Sequence, residues 1–293
     1  MITGSIPALV TPFTLDGHID FQALEQLINW HIDQGSDALV IAGTTGESAT
    51  LDMAEHCQLI EAGVRIANKR IPIIAGTGAN ATTEAIELTH FAHKAGAAAG
   101  LSVVPYYNKP TQEGQYQHFK AIAEASALPL ILYNVPGRTV ADLTNNTALR
   151  LAQIDNIIGI KDATGDLARG CDLLARAPKN FAVYSGDDAT AYALMLMGGK
   201  GSISVTANVV PHKMHQFCQA ALTGDLPTTT RLQMELIALH RAIFTESNPI
   251  PVKWILAEMG KMTHTLRLPL TQLSTSAEAP LKAALAQAGV TLS

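Results

Sequence analysis

The stretch NIIGIKDATGD, residues 156–166, ends an apolar run with a lysine. Ile157, Ile158 and Ile160 are β-branched, and Gly159 and Lys161 are the only interruptions. A short apolar run bounded by polar and glycine residues forms a buried strand, of the kind found in parallel sheets covered on both faces. Lysine is among the residues least often fully buried without a partner. An ammonium group at the end of a core strand therefore calls for a reason.

The same pattern recurs on either side. Short β-rich runs occupy residues 6–10, 38–43, 71–76, 100–106, 128–134, 156–161, 181–186 and 201–205. Between them lie stretches with helical spacing, including 21–35, 53–69 and 83–96. In the second of these, Cys57, Ile60, Val64 and Ala67 recur at three- and four-residue steps and predict one apolar stripe. Gly35 and Gly96 stand where helices stop. Strands alternating with helices make βαβ units and a parallel sheet, and eight strands close a TIM barrel. The rival, a doubly wound open sheet, lacks its glycine-rich fingerprint after the first strand. Beyond residue 224 the strand signal ends, and three helical stretches follow. The expectation is an α/β fold: a (β/α)8 barrel over residues 1–224 and a small C-terminal helical domain over 225–293. SNPIPV (247–252) reads as an ordered connector between its helices.

Composition narrows the function classes. Of 293 residues, 47% are hydrophobic and 15% charged, enough to fill a large core and contrary to disorder. A formal charge of −5 and the lack of any basic block argue against nucleic-acid binding. Cys57, Cys171 and Cys218 are far apart and form no CxxC pair, which suits a reducing compartment. The start, MITGSIPALVTPF, resembles no targeting segment, and no apolar run approaches the roughly 20 residues that span a bilayer. A cytoplasmic protein is expected.

In TIM barrels the active site gathers at the C-terminal ends of the strands. Lys161 closes the sixth strand there. After the second comes GTTGES (43–48), whose amides and hydroxyls suit a carboxylate, although such a turn serves equally to cap the next helix. After the fourth comes PYYNKP (105–110), where paired tyrosines commonly plug a loop. The fifth ends in YNVPGRT (133–139), with Tyr133 at the mouth and Arg138 beyond it, a planar fork for a carboxylate. The aspartates of SGDDA (185–189) read as caps of the following helix. Desolvation favours the neutral amine that attacks a ketone, and a nearby tyrosine can move the protons. The set points to Schiff-base chemistry on a keto acid. The histidines of HFAH (90–93) and HKMH (212–215) lack a third ligand at zinc spacing, and GTGANA lacks a third glycine for a dinucleotide.

Taken together and in order, GTTGES, PYYNKP, YNVPGRT and IGIKDATGD resemble the dihydrodipicolinate synthase family of pyruvate-dependent aldolases. The resemblance spans essentially the whole chain, including GTGAN, SGDDA, GSISVTANV and NPIPVKW. It implies that Lys161 forms an imine with pyruvate and that Tyr133 exchanges protons through Thr44 with Tyr107. In the family that second tyrosine comes from a neighbouring subunit, which implies a homotetramer built as a dimer of dimers. Thr45 would hold the pyruvate carboxylate, Gly186 and Ile203 would line the imine, and Arg138 would hold the carboxylate of aspartate 4-semialdehyde. No cofactor, metal, nucleic acid or membrane is implied.

Sialic-acid (N-acetylneuraminate) lyases share the lysine, the tyrosine and a similar turn, but not the arginine of YNVPGRT. A non-catalytic barrel that binds a small acid is the alternative from another class, and borohydride trapping with pyruvate separates it from the enzymes. The resemblance also implies an allosteric lysine site at Ala49, His56, Asn80, Glu84 and Tyr106. Met53 departs from the family there, standing where lysine-inhibited relatives often carry a histidine.

Overall fold

The computed structural model describes residues 1–292. Eight strands follow in order: β1 Gly4–Pro7, β2 Leu39–Ile41, β3 Ile73–Gly76, β4 Ala99–Val103, β5 Leu130–Asn134, β6 Ile157–Asp162, β7 Ala182–Ser185 and β8 Gly201–Ser204. All are paired in parallel, each with its sequence neighbours, and β8 returns to β1. The ring closes between β1 and β2 through a parallel bridge at Ala8 and Val40, with the Leu9 amide donating to Val40 O at 2.9 Å. Each of the eight expected runs thus carries a strand, and the barrel is the observed architecture. The first strand lies earlier than its run suggested, because the Val10 amide leaves the ladder to donate to Asn208 Oδ1 at 3.1 Å.

Strand periodicity sorts the side chains into layers. Ile6, Val40, Ile74, Leu101, Ile131, Tyr133, Tyr184 and Ile203 fill the interior of the barrel. Leu130, Leu132, Ile157, Ile160 and Val183 pack outward beneath the helices. In β6, Gly159 lies beside Ile131 and Ala182, and Lys161 beside Tyr133 and Tyr184. Gly159 is required there, since a Cβ would come 2.5 Å from Ala182 O.

The helix Met53–Ala67 begins at a capping box of Asp52 and Glu55. Its buried face is not the stripe the spacing suggested. His56, Leu59, Ile60, Gly63 and Ala67 are buried, whereas Cys57 and Val64 are half-covered flanks. Gly63 turns to the strands because its lack of a side chain admits Ile41, whose Cγ1 would lie 2.9 Å from a Cβ. Gly96 and Gly35 end their helices at φ +91° and +85°.

The C-terminal helices Leu226–Ala242, Ile250–Glu258 and Thr275–Gln287 share one apolar cluster with the barrel, in which Leu236, Ile255 and Leu285 join Leu27, Ile41 and Phe217. Residues 250–252 are the first turn of a helix rather than a connector. Pro251 sits in that turn, where its missing N–H costs nothing. Among the described residues no helix is long and apolar enough to cross a membrane.

Candidate active site

Lys161 reaches the mouth of the barrel from β6 and is 6% exposed. Its Nζ lies 4.1 Å from the centroid of the Tyr133 ring, itself buried at the end of β5. The lysine stem runs against Gly186, just past β7, where a Cβ would lie 2.8 Å from Lys161 Cε and 2.7 Å from Ala163 Cβ. The Gly186 amide donates to Asp162 O at 2.7 Å, which fixes that approach. Ile203 closes the wall from β8 and is buried. Four expected residues thus come from four consecutive strands.

The Gly43–Ser48 turn follows β2. Its capping role falls away, because Asp52 caps the next helix. The turn needs unusual backbone: Ala42 and Glu47 adopt φ +57° and +55°. A Cβ on Gly46 would press on Leu9 O at 3.1 Å. The Thr11 hydroxyl donates to Gly46 O at 2.6 Å, and the Glu47 amide donates to Thr44 O at 3.0 Å. The amides of Thr44 and Thr45 take no part in the backbone hydrogen bonds of this turn, which leaves them for an anion.

Two links join this turn to Arg138. Asn248 Nδ2 donates to Thr45 Oγ1 at 2.9 Å, and Arg138 Nη2 donates to Asn248 O at 3.3 Å. Arg138 sits on the short helix Pro136–Thr139 that follows β5, with its side chain open to solvent.

Sequence reasoning missed what lies behind the turn. The Glu47 carboxylate is fully buried, paired with Lys253 Nζ on one oxygen and accepting the Arg267 amide at 3.2 Å on the other. Lys253 also donates to Thr11 O at 3.0 Å and lies over the Phe13 ring. Burial pulls its pKa down to about 8, against the pull of Glu47. The signal was a lone charge in IPVKWIL, a helical run buried all round.

The paired tyrosines are not plugs. Tyr107 is 90% exposed at φ +73°. Tyr106 turns toward a cavity of about 240 Å³ lined by Thr44, Ala49, Met53, His56, Glu84 and Arg138 among others. Burial, with the charge of Glu84, raises the Tyr106 pKa. His56 Nε2 donates to Gly76 O at 2.7 Å, and burial lowers its pKa. Asn80 is tied to the cavity indirectly, through a 3.3 Å bond from Nδ2 to Tyr106 O. The residues expected to hold lysine thus gather beside Thr44 and Arg138.

The SGDDA aspartates divide their work. Asp187 accepts from the Thr190 amide and hydroxyl at 3.1 and 2.6 Å, before the following helix. Asp188 is not a cap of that helix. It is buried and accepts from the Val205 and Thr206 amides at 3.0 and 2.9 Å, holding the chain as it leaves β8.

Known proteins align with this chain over its full length. The model of the dihydrodipicolinate synthetase family matches residues 1–288. A 4-hydroxy-tetrahydrodipicolinate synthase of Nitrosomonas europaea is 61% identical over 292 residues, covering 100% of both chains. One of Azoarcus sp. is 59% identical over 290 residues, covering 99% of both. Among solved structures, a chloride-inhibited dihydrodipicolinate synthase from Acinetobacter baumannii, complexed with pyruvate, superposes with a TM-score of 0.98. It is 57% identical, and the alignment covers 99% of this chain and 100% of that one. With its barrel, its buried strand-end lysine and matches of this extent, the chain belongs to the dihydrodipicolinate synthetase family.

Proposed function

We propose that this chain condenses pyruvate with L-aspartate 4-semialdehyde to give 4-hydroxy-tetrahydrodipicolinate, the committed step toward diaminopimelate and lysine. The observation that carries the reading is the buried amine of Lys161, held against the Tyr133 ring at the mouth of the barrel.

The Lys161 amine adds to the keto carbon of pyruvate, and the carbinolamine loses water to become an imine. Tyr133 supplies and removes the protons of these steps. The Thr44 and Thr45 amides and the Thr45 hydroxyl hold the pyruvate carboxylate, and Arg138 holds that of the semialdehyde. Loss of a methyl proton gives an enamine, whose carbon attacks the aldehyde to form the new C–C bond. The amino group of the bound semialdehyde then adds to the imine carbon and expels the Lys161 amine. One C–C and one C–N bond form, and one water leaves, per turnover.

In this reading the enzyme is a cytoplasmic homotetramer, a dimer of dimers, in which Tyr107 reaches the partner subunit's site and extends the relay from Tyr133 and Thr44. The support is local: an aromatic residue held exposed in left-handed backbone, which costs about 1–3 kcal/mol and needs a contact to justify it. Ala49, His56, Asn80, Glu84 and Tyr106 form the feedback site for lysine, supported by their gathering around one cavity.

Borohydride added with pyruvate tests the chemistry. A reduced three-carbon adduct should map to Lys161 and vanish in Lys161→Ala, whose circular dichroism should match the parent. An adduct elsewhere refutes the mechanism. In a coupled assay, faster cleavage of N-acetylneuraminate than synthase turnover refutes the substrate assignment.

A further inference from the structure

The Gly43–Ser48 turn is built to receive an anion, yet it carries a carboxylate of its own. Glu47 lies two residues from Thr45, and its side chain is fully buried. An uncompensated negative charge at that distance in a poorly screened interior opposes any substrate carboxylate held by the turn. Lys253, 206 positions later, meets that charge directly. The same ammonium group donates to Thr11 O, and the Thr11 hydroxyl holds Gly46 O, so it grips the turn at two points. Lys253 is wholly enclosed, so it does not meet substrate.

We propose that Lys253 is a positioning residue for the reaction: by pairing with Glu47 behind the Gly43–Ser48 turn, it cancels the turn's own charge and keeps the turn in the shape that accepts the carboxylate of the keto acid. The inference rests on the reading that this turn holds the pyruvate carboxylate. A buried ion pair is weak evidence for a stabilising role, because apolar residues of similar volume often stabilise as well or better. The pairing therefore finds its use in the electrostatics of the neighbouring cradle.

The test compares Lys253→Met with the double variant Lys253→Met/Glu47→Gln. Lys253→Met leaves the carboxylate without its counter-charge, and the KM for pyruvate should rise at least about tenfold, the scale set by stranding one partner of a buried pair. The KM for the semialdehyde, held by Arg138, should move less than about twofold, since Arg138 meets the turn only through Asn248 and not through Glu47. Removing the carboxylate as well should bring the pyruvate KM back to within about threefold of the parent, even though the ion pair is gone. A merely structural pair would leave the double variant at least as impaired as the single one, and would move both substrates together. Either of those results overturns the proposal. If Lys253→Met gives no folded protein, the double variant decides alone: a tenfold rise in its pyruvate KM is the overturning result. Borohydride trapping of pyruvate on the parent enzyme separates the two levels. No adduct there removes the pyruvate reading itself, whereas a normal adduct with an unchanged Lys253→Met KM removes only the role of Lys253.

Discussion

Gly186→Ala would place a methyl group where the Lys161 side chain passes. The added Cβ would stand 2.8 Å from Lys161 Cε, 3.1 Å from Lys161 Cγ and 2.7 Å from Ala163 Cβ. Carbon atoms rest at about 3.5–4.0 Å, so the lysine stem must retreat by about 1 Å. The Gly186 backbone cannot yield instead, because its amide is fixed to Asp162 O. A displacement of that size in a reacting group costs on the order of 100-fold in rate. Overpacking of this kind costs about 1–3 kcal/mol of stability, which lowers Tm by roughly 2–12 °C in a chain of this size. The protein should therefore fold and yet form its imine slowly. Quenching a pyruvate reaction with borohydride at successive times, and weighing the intact protein, follows imine formation directly. If Gly186→Ala traps pyruvate on Lys161 at the parent rate, packing against residue 186 does not place the amine.

Arg138→Ala should raise the KM for the semialdehyde by about 10- to 150-fold, the worth of a charged hydrogen bond of about 1.5–3 kcal/mol, while the pyruvate KM changes little. Equal losses for both substrates in steady-state assays would refute its assignment to one carboxylate. Met53 lines the same cavity as His56, Glu84 and Tyr106 but cannot donate a hydrogen bond. Lysine should still inhibit the parent enzyme, and Met53→His should strengthen that inhibition, by about tenfold if one charged-group bond is gained; a titration of both proteins without any lysine effect would show no working site. Burial holds the pKa of His31 down to about 3 and that of His118 to about 4. The unfolded chain binds these protons near pH 6.5 and the folded one resists them, so stability falls as pH drops from 6.5 toward 4, by about 1.4 kcal/mol per unit for each histidine. His31→Gln should flatten that slope by one histidine's share in urea melts, and parallel slopes would refute the linkage.

What the sequence made legible was whatever depends on near neighbours. β-branched runs at regular spacing located all eight strands, and the end of the sixth placed Lys161 at the mouth of the barrel. Tyr133 and Arg138 followed from the same rule at the end of the fifth. The misreadings share a physical cause, which is that burial is decided by packing partners distant in the chain. Cys57 and Val64 keep helical spacing with Ile60, but Gly63 rather than either of them meets Ile41. Asp188 has the look of a helix cap, and its partners Val205 and Thr206 lie on the next strand's exit. Glu47 in GTTGES was passed over in the sequence, and Lys253 and the Arg267 amide close over it. A left-handed glutamate has no local signature, and its counter-ion stands on another element.

The closing of the turn by residues near the other end of the chain has a bearing on biosynthesis. Thr45 waits for Asn248, and Glu47 for Lys253 and Arg267, across sequence separations of 203, 206 and 220. At about 5–20 residues per second on the ribosome, the Gly43–Ser48 turn is made some 10–40 s before the groups that brace it. Contacts of such span also belong to the slow end of folding, where loop closure is paid before any contact rewards it. Nascent chains carrying every strand of the barrel would still lack the brace, so the turn takes its final form only once residues 248–267 have emerged, later than completion of the sheet.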